Sequence, residues 1–491
     1  MKKILISLAF YILAGSCLMY GQNLRKGPYL IYDNSNTQIE VLWQTDATSS
    51  DLIQWGTDQT YGGGNANCEE YGQDHQHKYI ITSLAPGTKY YYQVTIAGNI
   101  YTGSFYTSPP DSQTTLKFIA YGDTRTNVSI HNQVAGLING VYNNDQSFQT
   151  FILFGGDMVA NGDQESSWTS EFFNLSETNI RQMIANLPLQ ACRGNHEGTA
   201  VIFSKYFPYP FQANYYWSFD YGPAHFAVVD VYSSFSPGSA QYTWLQNDLA
   251  GSAKPWKFIS LHEPGWSAGG GHPNNTSVQQ YIEPLCEQFD VPIVFAGHNH
   301  YYARALVNGN NGSSVQHITC GGGGAPLYTP VLSQPNIVTA SKTYHYCKIN
   351  IISDDSLEFQ AISINGDVID QFTIDRSPLS VSDGPGGSGS MVNKIQKERE
   401  KYGFSIYPNP VSAKTTLDYT LTEEASVQVS LIDINGKETI LTGPGKPEDP
   451  GNHELTIDCT DLPGGQYVCK LTFTTTSGIT SNFTRTIMLI K

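Results

Sequence analysis

Two histidines, His298 and His300, follow an apolar segment at residues 291–296. The segment is rich in β-branched residues and is stopped by Gly297, which predicts a buried strand that opens into a loop. Side chains two residues apart project to the same side of an extended chain, so both imidazoles would point together beyond the sheet. Such a pair is suited to holding a metal ion. The alternative is a polar turn with two solvated histidines.

Four further polar motifs also follow short apolar segments, and together they favour the metal site. They are Gly122-Asp123 after residues 116–121, Gly156-Asp157 after 151–154, Gly194-Asn195-His196-Glu197 after 189–192, and His262 after 256–261. Such strands alternate with amphipathic segments, which predicts a layered α/β domain whose ligands gather beyond the carboxyl ends of the strands. We therefore expect five segments to converge at one edge of a sheet.

The side chains in these motifs are carboxylates, an amide and imidazoles, and the chain has no Cys-x-x-Cys. This mixture favours a pair of ions such as manganese, iron, zinc or calcium over one tetrahedral zinc ion. A carboxylate can bridge two ions about 3.5–4 Å apart, which would position a shared hydroxide for in-line attack on phosphorus. Asp157 is the predicted bridge, and His196, beside Asn195, is placed to protonate the leaving oxygen.

The whole chain is acidic, and its first residues are predicted to form an export signal. It has 491 residues, with 43 acidic and 27 basic side chains, and its formal net charge of -16 argues against general binding to nucleic acid or anionic lipid. Residues 1–22 are predicted to be a secretory signal, because two lysines precede an apolar stretch too short for a stable membrane span. Cys17 also permits lipid attachment. We expect no transmembrane segment elsewhere.

Composition divides the rest of the chain into four parts. Alternating strands predict a fibronectin-like all-β domain at residues 23–110, in which His75 and His77 lie in a polar run and are expected at the surface. Residues 111–376 form the predicted α/β catalytic domain. Residues 377–402 are a Ser/Gly-rich, then charged, linker, and residues 403–491 form a final small β module.

The ordered motifs resemble those of the calcineurin-like metallophosphoesterases, specifically the purple acid phosphatase branch. Further matches are Tyr302 and Arg304 after the histidine pair, the corner Leu84-x-Pro86-Gly87-Thr88-x-Tyr90 in the first β domain, and the glycine-rich segment 321–326. The resemblance covers roughly residues 25–376. It implies a layered β-sandwich metallophosphoesterase domain that hydrolyses a small phosphorylated substrate.

By position, the resemblance implies two metal sites that share one ligand. The ligands would be Asp123, Asp157 and His300 for the first ion, and Asp157, Asn195, His262 and His298 for the second. The ions are expected to be iron, zinc or manganese, with His196 as proton donor. His272 lies where the family has a substrate-facing histidine, with a solvated loop histidine as the alternative.

Two positions depart from the family pattern. Purple members have a tyrosinate ligand three residues after the bridging aspartate, where this chain has Ala160, so the protein should not be purple. The wider superfamily often has a metal-binding histidine two residues after the first aspartate, where this chain has Arg125. Arg125 would either contact the substrate phosphate or form an ion pair. The first site is thus left with three obvious protein ligands.

The final β module resembles the carboxy-terminal sorting domains of the type IX secretion system. The similarity rests on Tyr407-Pro408-Asn409-Pro410, Asp433-x-Asn435-Gly436-Lys437, Gly465-x-Tyr467 and the terminal Lys491. It implies that the secretion machinery is a partner of the chain. The protein is therefore expected to be secreted or held at the cell surface.

Several functions fit these features, and the first is a secreted dinuclear-metal phosphohydrolase acting on phosphomonoesters in the manner of an acid phosphatase. A phosphodiesterase or nucleotide pyrophosphatase would use the same site with a roomier pocket. A catalytically inactive surface adhesin or glycan-binding protein is the alternative from another class, given two β modules and many aromatic residues. Arg125 and Ala160 also leave open a weakened or inactive phosphatase.

Overall fold

A computed structural model describes residues 22–309, 314–376, 404–407, 411–421, 423–433, 437–443, 445–476 and 480–489. Residues 1–21 of the predicted signal, the linker at 377–402, Asn435-Gly436 and Lys491 lie outside these ranges. The chain forms two compact units, residues 1–376 and 377–491.

The first unit begins with seven antiparallel strands in two sheets. They are β1 (Leu24–Ile31), β2 (Ile39–Thr45), β3 (Asp51–Gly56), β4 (Gly64–Cys68), β5 (Gln76–Ile81), β6 (Lys89–Ile96) and β7 (Asn99–Tyr106). The strand orders are β1-β2-β5 and β4-β3-β6-β7. Burial alternates along β6, where Tyr90, Tyr92, Val94 and Ile96 face the core, as a half-buried strand requires.

The expected exposure of His77 is wrong. This histidine is fully buried, and its ring stacks on Trp43 with the centroids 5.2 Å apart. Its polar sequence neighbours suggested a loop, but His77 lies on β5, which pairs with β2 and turns this side chain inward. His75 stays partly exposed and contacts Glu70 at 2.8 Å.

The remaining part of the first unit is a two-sheet sandwich with helices. Its strands are β8 (Leu116–Tyr121), β9 (Ile152–Phe154), β10 (Leu189–Ala191), β11 (Trp217–Tyr221), β12 (Ala224–Val228), β13 (Trp256–Ser260), β14 (Ile293–Ala296), β15 (Tyr302–Asn308), β16 (Ser314–Cys320), β17 (Ile337–Ser341), β18 (His345–Ile351), β19 (Ser356–Ser363) and β20 (Val368–Asp375). Its α-helices are α1 (Val128–Asn144), α2 (Glu165–Ser170), α3 (Thr178–Asn186), α4 (Val201–Tyr206), α5 (Ala240–Gly251) and α6 (Glu283–Phe289). Short helical turns occupy Gln146–Phe148, Asn195–Glu197 and Val278–Ile282.

The two sheets of the sandwich each contain a run of parallel strands. The first has the order β10-β9-β8-β18-β19-β20, with β10, β9 and β8 parallel. The second has the order β11-β12-β13-β14-β16-β15-β17, with β12, β13, β14 and β16 parallel. The layered α/β prediction for this part is confirmed.

Aromatic residues fill the space between the two sheets. Phe118 on β8 meets Phe226, Phe258 and Phe295 of the second sheet, with ring centroids 5.3, 5.6 and 6.1 Å apart. Successive residues of a strand point to opposite faces of the sheet, so Tyr121, three residues after Phe118, points away from the second sheet. Its hydroxyl lies 3.0 Å from His131 of α1. The sandwich is therefore held by an inter-sheet core with helices outside it.

The strands β1–β7 and the sandwich share a continuous core. Tyr29 packs its ring against Phe173 at 4.9 Å, and Tyr92 donates a hydrogen bond to the carbonyl of Ala185. The fully buried Lys26 forms an ion pair with Glu165 at 2.6 Å. Among the helices of the described ranges, none combines the length and hydrophobicity needed to span a bilayer.

The second unit consists of strands alone in its described residues. They are β21 (Phe404–Tyr407), β22 (Lys414–Leu421), β23 (Ala425–Asp433), β24 (Glu438–Thr442), β25 (Gly451–Asp458), β26 (Gly465–Thr475) and β27 (Thr480–Leu489). They form antiparallel sheets of order β21-β22-β25 and β24-β23-β26-β27. Leu417, Val429, Leu471 and Ile487 are among the residues of its own apolar core.

A buried histidine in the first unit makes folding stability depend on pH. His225 contacts Asp220 at 2.7 Å through Nδ1 and Asp248 at 2.8 Å through Nε2. Burial disfavours the charged ring, but the two carboxylates outweigh it and raise the pKa of His225 to about 9. A raised folded-state pKa stabilises the fold fully below the unfolded value of about 6.5, and this stabilisation is lost as pH rises through 9.

The variant His225→Gln should therefore lower the free energy of unfolding by about 2 kcal/mol at pH 6, and by much less at pH 10. Urea unfolding at the two pH values measures the difference. His75→Gln serves as the control, because its partly exposed ion pair should contribute under about 1 kcal/mol. An equal loss for His225→Gln at both pH values would contradict the assignment of charge.

Candidate metal centre

The predicted metal ligands meet where strands of both sheets end. Asp123, Asp157 and Asn195 follow the parallel strands β8, β9 and β10 of the first sheet, and His262 and His298 follow β13 and β14 of the second. The expectation of convergence at one sheet edge is thus wrong in one respect, since the residues come from two stacked sheets. The apolar segments look alike in sequence, and only strand pairing assigns them to separate sheets.

One group of donors consists of Asp123, Asp157 and His300. All three are buried, and their ligand atoms lie within 4.8 Å of one another. His300 Nε2 is 3.6 Å from Asp123 Oδ1. His300 Nδ1 is 2.9 Å from the carbonyl oxygen of Pro326, which can only accept, so Nδ1 carries the hydrogen. The lone pair of Nε2 therefore faces the two carboxylates.

A second group adjoins the first through Asp157. The atoms Asn195 Oδ1, His262 Nε2 and His298 Nδ1 lie 3.0–3.2 Å from one another. His262 Nε2 is also 3.4 Å from Asp157 Oδ1. His262 Nδ1 donates to the carbonyl oxygen of Gly155 at 2.6 Å, an arrangement typical of metal-binding histidines.

Burial and neighbouring charges shift the pKa values of two residues in this region. Burial raises the pKa of Asp123 to about 8, and the negative Asp157 acts in the same direction. Burial also disfavours a charged His262, but Asp157 outweighs it and raises the pKa of His262 to about 10. Without a metal ion, the protonated ring of His262 thus supplies positive charge beside Asp157. Buried carboxylates and imidazoles converging in this way fit two metal ions.

The backbone at the centre is shaped for close approach. Asp123, Asp157 and His298 all have positive φ, at 57°, 57° and 68°, a conformation that residues other than glycine adopt rarely. At two neighbouring positions only glycine fits: a Cβ at Gly297 would collide with Asp123 Oδ2, and one at Gly194 with Asp157 Oδ1. Gly297 and Gly194 therefore leave the space that the carboxylates of Asp123 and Asp157 occupy.

Glu197 holds the two ligand loops together, a role that its place in the motif did not reveal. The fully buried carboxylate accepts hydrogen bonds from the backbone N–H of Asp157 at 2.9 Å, Met158 at 2.8 Å and Gly194 at 2.7 Å. Removing one acceptor would leave a buried N–H without a partner. Glu197 is thus a positioning residue for Asp157 and Asn195.

We expect Glu197→Gln to weaken metal binding about 10–100-fold while the chain stays folded. The replacement keeps the shape of the side chain but turns one acceptor oxygen into a donor that faces backbone N–H groups. Calorimetric titration of metal-free protein with Mn²⁺ measures the change. Glu358→Gln on the exposed face of β19 is the matched control, and equal affinities for the two variants would contradict this role.

Three further predicted residues lie around the ligands. His196 donates from Nδ1 to the carbonyl oxygen of Ala160 at 2.7 Å, and its Nε2 is 3.9 Å from Asp157 Oδ2. The ring of His272, a partly exposed loop residue, stacks on His298 with the centroids 3.9 Å apart. Arg125 forms an ion pair with Asp157, with Nε and Oδ2 3.4 Å apart.

Sequence reasoning did not single out Tyr328, which lies beside two of the predicted site residues. The ring of Tyr328 stacks on His300 at 4.4 Å, and its hydroxyl lies 3.4 Å from His272 Nε2. No pattern around Tyr328 indicates this contact. Tyr302 and Arg304 both bind Asp370, at 2.6 Å each, and so help to join β15 to β20.

Comparison with known families agrees with this geometry. Residues 116–302 match the family described as calcineurin-like phosphoesterase, and residues 26–115 match the amino-terminal domain of purple acid phosphatases. Residues 405–483 match a secretion system C-terminal sorting domain, which indicates export by the type IX system. The sorting-domain prediction is confirmed.

Two named plant proteins are similar to this chain in sequence. The probable purple acid phosphatase 20 of Arabidopsis thaliana is 25% identical over 344 residues, which cover 61% of this chain and 77% of that protein. A nucleotide pyrophosphatase/phosphodiesterase of Hordeum vulgare is 26% identical over 248 residues, covering 45% of this chain and 62% of that protein.

A solved structure shares the fold. The purple acid phosphatase PPD1 from yellow lupin (Lupinus luteus) seeds superposes with a TM-score of 0.60 and 18% identity, covering 74% of this chain and 78% of that chain. The family matches thus identify a calcineurin-like phosphoesterase domain, an amino-terminal domain of the purple acid phosphatase type and a type IX secretion sorting domain in this chain, and the protein is a metal-dependent phosphoester hydrolase.

Proposed function

We propose that the protein is a phosphomonoesterase with a centre of two metal ions. Asp123, Asp157 and His300 hold one ion, and Asp157 with three further residues, namely Asn195, His262 and His298, holds the other. The observation that supports this most is the approach of three atoms that can bind a metal ion, Asn195 Oδ1, His262 Nε2 and His298 Nδ1, to within 3.0–3.2 Å of one another. Such mutual approach is favourable when a cation lies among the donors.

Asp157 is the shared ligand. Its Oδ1 faces His262 of one group, and its Oδ2 faces Arg125 on the other side. When bound, the two ions supply Lewis acidity toward the phosphoryl oxygens and activate the attacking water. Iron, zinc and manganese all suit this donor set. Because Ala160 replaces the tyrosinate of purple members, the protein has no ligand for the charge transfer that gives their colour.

His196 is the proposed proton donor to the leaving alcohol. Its Nδ1–H is engaged by the Ala160 carbonyl, so a second proton on Nε2 is the one free to move. Nε2 faces the centre at 3.9 Å from Asp157 Oδ2, and the side chain is 29% exposed, which leaves it accessible to substrate. Protonation by a positioned histidine lowers the barrier for leaving groups that are strong bases.

His272 is the proposed contact to the phosphoryl group. Its backbone N–H donates to Asn299 Oδ1 at 2.7 Å, which fixes the loop against the metal-binding motif. The stacked ring of His298 and the hydroxyl of Tyr328 fix the imidazole itself. This histidine is therefore held rigidly beside the two proposed metal sites.

A phosphodiesterase or nucleotide pyrophosphatase is the second candidate, favoured by the similarity to the barley enzyme. A cavity of about 300 Å³ is lined by Tyr232, Ser234, Phe235, Ser277 and Tyr281. The ring of Tyr232 lies 6.4 Å from that of His262, so the cavity adjoins the proposed centre. Its hydroxyl-rich wall would accept the second substituent of a diester.

Hydrolysis of p-nitrophenyl phosphate and bis(p-nitrophenyl) phosphate by the metal-loaded protein separates the two candidates. We expect kcat/KM for the monoester to exceed that for the diester by at least about tenfold. The reverse order would assign the protein to the diesterases. Turnover of neither ester with added manganese, zinc or iron would contradict both.

A further inference from the structure

Arg125 lies among the donors of the first proposed metal site. Its Nε is 3.4 Å from Asp157 Oδ2, and its Nη2 is 3.3 Å from His300 Nε2. The Nε2 atom of His300 must accept this contact, because Nδ1 already donates to the Pro326 carbonyl. The guanidinium therefore uses the same carboxylate oxygen and the same imidazole lone pair that a metal ion at this site would need.

The contacts of Arg125 are looser than those of a structural ion pair in the same chain. Arg304 binds both oxygens of Asp370, with Nε at 2.6 Å and Nη2 at 3.2 Å. Arg304 and Arg125 are about equally exposed, at 13% and 14%. Arg125 Nε, by contrast, is buried and makes no hydrogen bond to any described residue. The ion pair of Arg125 with Asp157 thus lacks the short, two-point hydrogen bonding of the structural pair between Arg304 and Asp370.

Three of the four proposed ligands of the second site, namely Asn195, His262 and His298, have no such competitor. In the part of the chain that the structure describes, no lysine or arginine lies within hydrogen-bonding distance of Asn195, His262 or His298. A metal ion can reach these three donors without displacing a basic side chain from them. The two proposed sites therefore differ in what must leave before an ion enters.

We propose that Arg125 is an internal cation that competes with the first metal ion for Asp157 and His300, so that the two sites fill in order. This inference rests on the proposed dinuclear centre. The second site fills first, and the first fills only when the guanidinium moves away, because two positive charges cannot share one carboxylate oxygen without strong repulsion. Arg125 thereby sets the metal concentration at which the centre becomes complete.

Calorimetric titration of metal-free full-length protein with Mn²⁺ and with Zn²⁺, together with metal analysis, tests the order of filling. The wild type should show one tight and one weaker site. Arg125→Gln, which keeps length and hydrogen-bonding capacity but removes the charge, should strengthen the weaker site by at least about tenfold and leave the tight one unchanged. Arg125→Lys should stay close to the wild type.

Arg25→Gln is the matched control, because it removes one guanidinium from the ion pair with Asp74 outside the centre. It should leave both affinities unchanged. An unchanged weaker site in Arg125→Gln, or two equally tight sites in the wild type, would overturn the role of Arg125. Absence of metal binding in the wild type and in every folded variant would instead overturn the metal centre itself. Circular dichroism establishes folding in each case.

Discussion

Asp157→Asn should reduce kcat for phosphomonoesters roughly a thousandfold or more and should remove at least one bound metal ion per chain. Each carboxylate oxygen of Asp157 contacts a different side chain. Oδ1 lies 3.4 Å from His262 Nε2, and Oδ2 lies 3.4 Å from Arg125 Nε. An amide offers one neutral oxygen and an NH₂ group that cannot bind a cation. The variant therefore loses the carboxylate that would bridge the two ions. It also keeps only one of the two carboxylates, that of Asp123, to balance the charge of the metal ions.

Metal analysis and steady-state kinetics on the same preparation test this expectation. Asp354→Asn, in the exposed turn between β18 and β19, provides a control with the same chemical change. Asp157→Asn with normal metal content and normal kcat would show that the carboxylate does not bridge. A loss of activity with both metals retained would assign Asp157 to substrate orientation instead.

His196→Asn should lower kcat for alkyl phosphates by about 10²–10⁴-fold while metal content stays unchanged. Alkoxide leaving groups are strong bases and need a proton, whereas p-nitrophenolate leaves without one. The loss should therefore be far smaller with p-nitrophenyl phosphate. The position of Nε2, 3.9 Å from Asp157 Oδ2 and partly exposed, carries this expectation.

A series of phosphomonoesters with leaving groups of increasing basicity measures the effect. The plot of log kcat against leaving-group pKa should be steeper for His196→Asn than for the wild type. His75→Asn, a partly exposed histidine in the first β domain, is the control. Equal losses for all leaving groups would mean that His196 acts on the attacking side or on metal binding.

The layered α/β class was predicted from the sequence, and the candidate ligand motifs were proposed from it, because both depend on local pattern. Each motif directly follows a short apolar run, and the strands β8, β9, β13 and β14 end two or three residues before Asp123, Asp157, His262 and His298, respectively. Strand pairing is not local, so the division of these strands between two sheets could not be predicted. The burial of His77 was missed for the same reason, since only its pairing partner turns it inward.

Contacts between distant segments were equally hidden. Glu197 stands in a recognised motif, yet its three hydrogen bonds reach back to backbone 39–40 residues earlier as well as to Gly194. For Arg125 the sequence allowed either a contact with the substrate phosphate or an ion pair. The structure contains an ion pair between Arg125 and Asp157. Tyr328 reaches His300 from a loop without regular structure, which no periodicity marks.

The positive φ angles of Asp123, Asp157 and His298 imply a trade-off between activity and fold stability. Glycine would adopt these angles with less strain, at a saving of about 1 kcal/mol at each position. It would also remove the buried carboxylates of Asp123 and Asp157 and the imidazole of His298, which are proposed metal ligands. Selection for a durable extracellular fold alone would thus erode this centre. The backbone strain at these three positions is thus a cost in fold stability that accompanies the proposed metal site.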